Sequence, residues 1–373
     1  MPTISIRGME MPASPIRKLA PLADAAKQRG IHVFHLNIGQ PDLPTPEVAI
    51  EAIRNIDRKV LEYSPSAGYR SYREKLVGYY AKYNINLTAD DIIITSGGSE
   101  AVLFSFLACL NPGDEIIVPE PAYANYMAFA ISAGAVIRSV TTTIEEGFSL
   151  PKVEKFEELI NERTKAILIC NPNNPTSSAI LRSDMERLLT FCEQHDIFVM
   201  IDETYVEFAP VIEDVTAVPF TKTFKNLMVL RGVSKFFAAP GVRLGYGITG
   251  NMPFLKAMKE KQIPWSLNSL GAFAGELMLK DEEYIRQTRR LILSEREKMY
   301  SALKEQPAYK TYKPYANFLL VKLLQKETTA FDVFTHCVKN GLMIRDCSSF
   351  KSLDGEFIRF CVMDSKDNQR LLD

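Results

Sequence analysis

The chain has 373 residues, of which 46% are hydrophobic and 24% charged, a balance typical of globular proteins in a length that predicts two domains rather than one small core. Its formal net charge is −1, so neither a nucleic acid nor a membrane surface is expected as a partner, since either needs a concentrated basic face.

In chain order, the N-terminus Met1-Pro2-Thr3-Ile4-Ser5-Ile6-Arg7 lacks the basic-then-apolar layout of a signal peptide. His32 and His35 have ligand-like spacing, but His195 and His336 are the only other histidines. No metal is expected, and Val33-Phe34-His35-Leu36 reads as a strand-like segment. Ile92-Ile93-Ile94-Thr95 reads as a strand. A helix from Ser99 to Leu110 follows, capped by Ser99 and stopped at Asn111-Pro112-Gly113. Further strands are read at Glu115–Val118, Ala135–Val140, Ala166–Cys170, Phe198–Ile201 and Leu227–Leu230. Helices are read near Ala122–Ser132 and at Ser183–His195. The longest uncharged stretch, Pro121 to Ile137, holds Asn125, Ser132 and Gly134. It is short of the ~20 apolar residues that span a bilayer.

Continuous Ile/Val/Leu runs imply strands covered on both faces, and their alternation with helices predicts a mainly parallel sheet. A long polar-rich helix from about Asp281 to Glu305 leads to a smaller α+β unit, with strands at Phe318–Val321 and Phe357–Cys361 and a helix at Ala330–Lys339. Six scattered cysteines (109, 170, 192, 337, 347 and 361) form no Cys-x-x-Cys pair, which suits reduced thiols in a cytoplasmic protein.

Ligands bind open parallel sheets at the C-terminal ends of strands. Four polar clusters fall there: Gly97-Gly98-Ser99, the run Asn171 to Thr176, Asp202-Glu203-Thr204-Tyr205, and Ser234-Lys235. A lysine just past a buried strand loses water, lowers its pKa and can attack a carbonyl. Arg243, set among glycines eight positions on, can grip a phosphate. Together they predict a pocket for a phosphate-bearing aldehyde, which pyridoxal 5'-phosphate is.

Other residues have two readings each. Gly97-Gly98-Ser99 is a helix start or an anion site. Asp202 is a cap or ion-pair partner, or it holds a protonated pyridine nitrogen, a contact worth about 4 kcal/mol at ~4 Å and an effective dielectric of about 20, before desolvation costs. Tyr205 and Asn174 can hydrogen-bond a ring hydroxyl and Tyr123 can stack on a ring, while the alternative for both tyrosines is core packing. Arg359, inside Phe357-Ile358-Arg359-Phe360-Cys361, is a carboxylate clamp or an interdomain salt bridge.

Those motifs, with Asn37-Ile38-Gly39-Gln40-Pro41-Asp42, Tyr63 and Gly68-Tyr69, resemble the class I/II aminotransferases of PLP fold type I over essentially the whole chain. The resemblance implies an α/β three-layer sandwich around a mainly parallel sheet. It divides the chain into an N-terminal segment (1–45) packing with the small domain, a large PLP-binding domain (46–280) and a small C-terminal domain (281–373). Lys235 is then similar to the Schiff-base lysine and proton shuttle, and Asp202 to the pyridine partner. Tyr205 and Asn174 correspond to the ring-hydroxyl partners and Tyr123 to the stacking ring. Gly97, Gly98, Ser99, Ser234 and Arg243 correspond to the phosphate cup. Gly39, Asn174 and Arg359 correspond to the substrate site. Tyr63 is similar to a tyrosine that reaches the neighbouring subunit's phosphate, which implies a homodimer. Two residues depart from the pattern. Gly232 stands where a phosphate-binding hydroxyl is common, so weaker cofactor binding is expected. Ser177 stands where glycine is usual, so a differently bent loop is expected.

From about Ser178 onward, chiefly at Ile344-Arg345-Asp346-Cys347-Ser348-Ser349-Phe350, the chain resembles histidinol-phosphate aminotransferases and threonine-phosphate decarboxylases, in which an arginine like Arg345 helps hold an anionic group. The leading expectation is transfer of an amino group from an amino acid to a 2-oxo acid. The alternatives are decarboxylation or transamination of a phosphorylated amine, and a non-catalytic PLP-binding module. The last is disfavoured, because no basic helix-turn-helix extension is present.

Overall fold

The computed structural model describes residues 3–13, 19–41, 43–57 and 59–373. Met1-Pro2 and Asp42 of the Asn37–Asp42 run lie outside the described residues. Among the described residues, four α-helices precede the first strand: α1 (Ile6–Glu10), α2 (Ala20–Gln28), α3 (Glu47–Arg54) and α4 (Arg70–Ala81). β1 (Ile92–Thr95) is buried along its length, and burying each of its isoleucines contributes roughly 2 kcal/mol.

The elements that follow are α5 (Gly98–Cys109), β2 (Glu115–Glu120), α6 (Asn125–Ala133), β3 (Val136–Thr141), α7 (Val153–Glu157), β4 (Thr164–Cys170), α8 (Arg182–Gln194), β5 (Phe198–Asp202), β6 (Leu227–Gly232) and β7 (Gly245–Ile248). They build a seven-stranded sheet in the order β1-β7-β6-β5-β4-β2-β3. The strands from β3 through β2, β4 and β5 to β6 pair in parallel, and β7 lies antiparallel between β6 and β1. Alternate residues of the apolar strands feed two separate cores. Ile167 and Ile169 belong to one and Ala166 and Leu168 to the other, as a sheet covered on both faces requires.

The expected strands are present with ends shifted by a few residues. Two helix starts differ. α5 begins at Gly98 with Gly97 (φ 89) at its N-cap position, so Ser99 lies in the first turn and no side chain caps the helix. α6 begins at Asn125, leaving Ala122 and Tyr123 in the turn before it. β7 was not foreseen, because Gly-Tyr-Gly-Ile has no continuous apolar run. Its glycine is required: a Cβ on Gly245 would collide with the backbone of Gly97 and Gly98, so the turn entering α5 presses directly on this strand. Val33–Leu36 makes one isolated bridge, Phe34 to Leu342.

The chain continues through α9 (Met252–Lys261), α10 (Ser269–Met278) and α11 (Glu282–Lys304). The carboxylate of Asp281 accepts from the Tyr284 N–H at 3.0 Å and starts α11, which buries Ile292, Met299 and Leu303. After it come β8 (Tyr309–Lys310), β9 (Phe318–Leu323), α12 (Ala330–Lys339), β10 (Arg345–Asp346), β11 (Phe357–Cys361) and α13 (Ser365–Leu372). The four strands form an antiparallel sheet, β10-β11-β9-β8. Among the described residues no helix is long and apolar enough to cross a membrane.

Candidate active site

The chain leaves β6 at Gly232 and turns, and Lys235 is half-buried in that turn. Its Nζ donates to the Ile38 carbonyl at 2.9 Å. Desolvation, with help from the Arg359 and Arg243 charges, lowers its pKa from 10.5 to about 8, against the opposing pull of Asp202 and Cys361. About a tenth of such a lysine is the neutral, nucleophilic amine at pH 7.

Asp202 ends β5 opposite Cys170 of β4. Its Oδ2 accepts from Tyr126 Oη at 2.7 Å, and its Oδ1 accepts from Thr204 Oγ1 at 2.6 Å and from the Thr204 N–H at 3.0 Å. Burial raises its pKa, and these hydrogen bonds and Lys235 draw it part of the way back. In its charged form this buried carboxylate needs a cationic partner.

Both residues line a cleft of about 260 Å³, together with Gly98, Ser99, Tyr123, Asn174, Tyr205, Ser234, Arg243, Arg345 and Arg359. Tyr205 is buried and meets Phe318 edge-on, ring centres 5.0 Å apart. Gly39 (φ 78) lies against it, and a Cβ there would sit 2.7 Å from the Tyr205 hydroxyl oxygen. Tyr123 accepts from Asn125 Nδ2 at 2.8 Å. Arg243 (φ 53) lies against Gly97 and donates to the Pro240 carbonyl at 2.9 Å.

Arg359 donates to Asn174 Oδ1 and, at 2.7 Å, to the Asn37 carbonyl. Its guanidinium lies 4.8 Å from the centre of the Phe318 ring, and its Nε is buried without a partner. Among the described residues it makes no ion pair, so the interdomain salt bridge weighed above is not what holds it. β10–β11 pairing sets Arg345 opposite Arg359. Arg345 is buried too and donates to Ser349 Oγ at 2.7 Å.

Three residues stand apart from the cleft lining. Gly97 and Gly39 adjoin it through Arg243 and Tyr205. Tyr63 is 80% exposed and packs on Trp265, ring centres 5.1 Å apart. Ser177 turns the backbone without glycine at φ 63, and its hydroxyl oxygen accepts from the Tyr315 and Ala316 N–H groups. Gly232 packs against the Gly97-Gly98 turn, where a Cβ would lie 3.3 Å from the Gly98 nitrogen.

Sequence reasoning missed Tyr126 and Thr204. Both had a signal. Tyr126 follows Tyr123 by three residues, which puts two tyrosines on one side of a helix start. Thr204 lies two residues beyond Asp202, where a hydroxyl and an N–H reach back to a carboxylate.

These groups suit one kind of guest. A lysine poised to be neutral, a buried carboxylate across the same cleft, and a helix N-terminus flanked by a serine and an arginine match an aldehyde, a protonatable ring nitrogen and a phosphate. Residues 31–373 match the family model "Aminotransferase class I and II". The chain is a class I/II aminotransferase. The enzyme is 32% identical over 333 residues to a putative threonine-phosphate decarboxylase of Caldanaerobacter subterraneus subsp. tengcongensis, covering 89% of this chain and 86% of that one. It is 28% identical over 363 residues to the histidinol-phosphate aminotransferase of Methanothermobacter thermautotrophicus, covering 97% and 93%. An aspartate aminotransferase double mutant of Thermus thermophilus superposes with a TM-score of 0.88 at 26% identity, covering 100% of this chain and 98% of that one. Like the family, the aminotransferase depends on pyridoxal 5'-phosphate.

Proposed function

We propose that the aminotransferase moves an amino group from an amino acid to a 2-oxo acid with Lys235 as the Schiff-base lysine and proton carrier. The observation that carries this reading is the lowered pKa of Lys235 in a cleft shared with Asp202. Pyridoxal 5'-phosphate supplies a carbonyl that exchanges amines and a cationic ring that accepts an electron pair from the substrate Cα. Lys235 Nζ would carry the proton from the substrate Cα to the former aldehyde carbon of the cofactor, across the nitrogen that links them. The Asp202 carboxylate holds the ring nitrogen protonated, with Tyr126 and Thr204 fixing its two oxygens. Tyr205 and Asn174 hold the ring hydroxyl, and Tyr123 covers the ring. Gly97, Gly98, Ser99, Ser234 and Arg243 hold the phosphate. Gly39, Asn174 and Arg359 receive the substrate carboxylate, a role supported by the unpartnered Arg359 Nε.

We further assign the three segments 1–45, 46–280 and 281–373 to an N-terminal arm, a cofactor domain and a small domain, and the enzyme to the cytoplasm as a homodimer. The exposure of Tyr63, Trp265, Val60, Leu61 and Ile263, each more than half accessible, supports burial against a second copy that receives Tyr63. A second reading, a phosphorylated amine as substrate, draws support from Arg345. Two buried arginines side by side, neither in an ion pair among the described residues, suit a substrate with two anionic ends.

A panel of amino acids and amino phosphates, scored by the change in cofactor absorbance and by product analysis, tests both. A 2-oxo acid product supports transamination, whereas carbon dioxide release without one supports the decarboxylase. Full turnover in Lys235→Ala would remove the mechanism.

A further inference from the structure

Ser177 is fully buried and adopts φ 63, a left-handed conformation that L side chains rarely take. What offsets the strain is visible. Its Oγ accepts from the Ala316 N–H at 2.8 Å and from the Tyr315 N–H at 3.2 Å, and its carbonyl accepts from the same Tyr315 N–H at 2.7 Å. Tyr315 therefore has a second acceptor, but among the described residues the buried Ala316 N–H has Ser177 Oγ alone. On its other side the Ala316 carbonyl accepts from Arg296 Nη1 of α11 at 2.8 Å.

The next residue, Asn317, is fully buried just before β9. Its Nδ2 donates to the Gly39 carbonyl at 3.1 Å, and its carbonyl accepts from the Val362 N–H, just after β11, at 2.8 Å. Three residues before Ser177, Asn174 accepts from Arg359 of β11. The Ser177 hydroxyl thus joins the loop that carries Asn174 to the segment that holds Gly39 and adjoins the Arg359 strand.

We propose that Ser177 is a positioning residue for the substrate-carboxylate site: its hydroxyl pins Ala316 and Asn317 so that Gly39, Asn174 and Arg359 keep a common register. The inference rests on the reading above that those three residues receive the carboxylate. Ser177 lies outside the cleft lining, and of the residues assigned to the cofactor only Asn174 shares its loop, so its removal is expected to weaken carboxylate affinity far more than cofactor affinity.

The experiment measures propionate binding to the holoenzyme by calorimetry and cofactor binding to the apoprotein by fluorescence, in wild type, Ser177→Ala, Ser177→Gly and Arg359→Lys. Ser177→Gly suits φ 63 better than serine does, so it guards against a failure to fold. Both Ser177 variants are expected to weaken propionate about tenfold, because with the Ala316 N–H unpinned part of the binding energy goes into restoring the register of Gly39, Asn174 and Arg359, while cofactor affinity stays within about twofold. Unchanged propionate affinity in Ser177→Gly, or a parallel loss of cofactor affinity, overturns the inference. A wild-type enzyme that ignores propionate, or an Arg359→Lys variant that binds it as tightly as wild type does, overturns the carboxylate site itself and this inference with it.

Discussion

Tyr126 donates its phenolic hydrogen to Asp202 across 2.7 Å, with both residues buried. The bond fixes one carboxylate oxygen and favours its charged form, which burial opposes. Tyr126→Phe leaves the ring in place and removes the donor. Cofactor affinity is expected to fall about tenfold, corresponding to the loss of one hydrogen bond to a charged group. Titration of the apoprotein with pyridoxal 5'-phosphate reads it. An unchanged dissociation constant would mean that Thr204 alone holds the carboxylate.

Lys235 is expected to be the most reactive lysine of the apoprotein near neutral pH. Its pKa of about 8 gives it a far larger neutral fraction at pH 7 than a lysine at 10.5 has. Labelling with a limiting amine-directed reagent, followed by peptide mapping, should find Lys235 modified first, with a rate that reaches half its maximum near pH 8. A half-maximum near pH 10 would remove the desolvation argument.

Beneath the site, Glu203 lies in a closed network. Its carboxylate accepts from Thr216 Oγ1 at 2.8 Å and from the Ala217 N–H, and close by Arg231 pairs with Glu207 at 2.5 Å. Desolvation, opposed by Arg231 and these hydrogen bonds, raises the Glu203 pKa from 4.5 to about 7. A folded carboxyl with a raised pKa contributes stability that is complete below pH 4.5 and is lost as pH rises through about 7. Wild type is therefore expected to lose on the order of 2 kcal/mol between pH 5 and pH 8 that Glu203→Gln does not lose. Denaturant midpoints at the two pH values check this, and equal losses would refute it.

The two buried arginines are expected to divide the substrate between them. Arg359→Lys should weaken every carboxylate-bearing substrate, because the two-point contact of a guanidinium is lost. Arg345→Ala should weaken a phosphorylated amine by about 10-fold to 100-fold and leave a small neutral amino acid nearly unchanged. Ratios of kcat/KM across such pairs decide it. Equal losses on both substrates would show that Arg345 supports the fold instead.

Much of this was legible in the residues. Unbroken runs such as Ile92–Thr95 and Ala166–Cys170 declare strands buried on both faces, and the polar clusters that follow them declare the rim. β7 was hidden because Gly245-Tyr246-Gly247-Ile248 is chosen for backbone contact with the α5 turn, a long-range requirement that local patterning does not record. Tyr126 was hidden for a related reason. A buried hydroxyl looks like a packed aromatic until the carboxylate 76 residues away is folded against it. The two-residue strand β10 has too few residues for any alternation, so the pairing of Arg345 with Arg359 emerges only from the sheet.

The contact between Gly245 and the Gly97-Gly98 backbone has a practical consequence. Any larger side chain at that crossing would split the turn from the strand, so the end of the pocket proposed for the phosphate tolerates almost no re-engineering. The wall that brings Arg345 and Phe350 to the cleft, from the short β10 strand to Phe350, contains no glycine held against another backbone. Attempts to broaden or switch the range of amines this enzyme accepts should begin there.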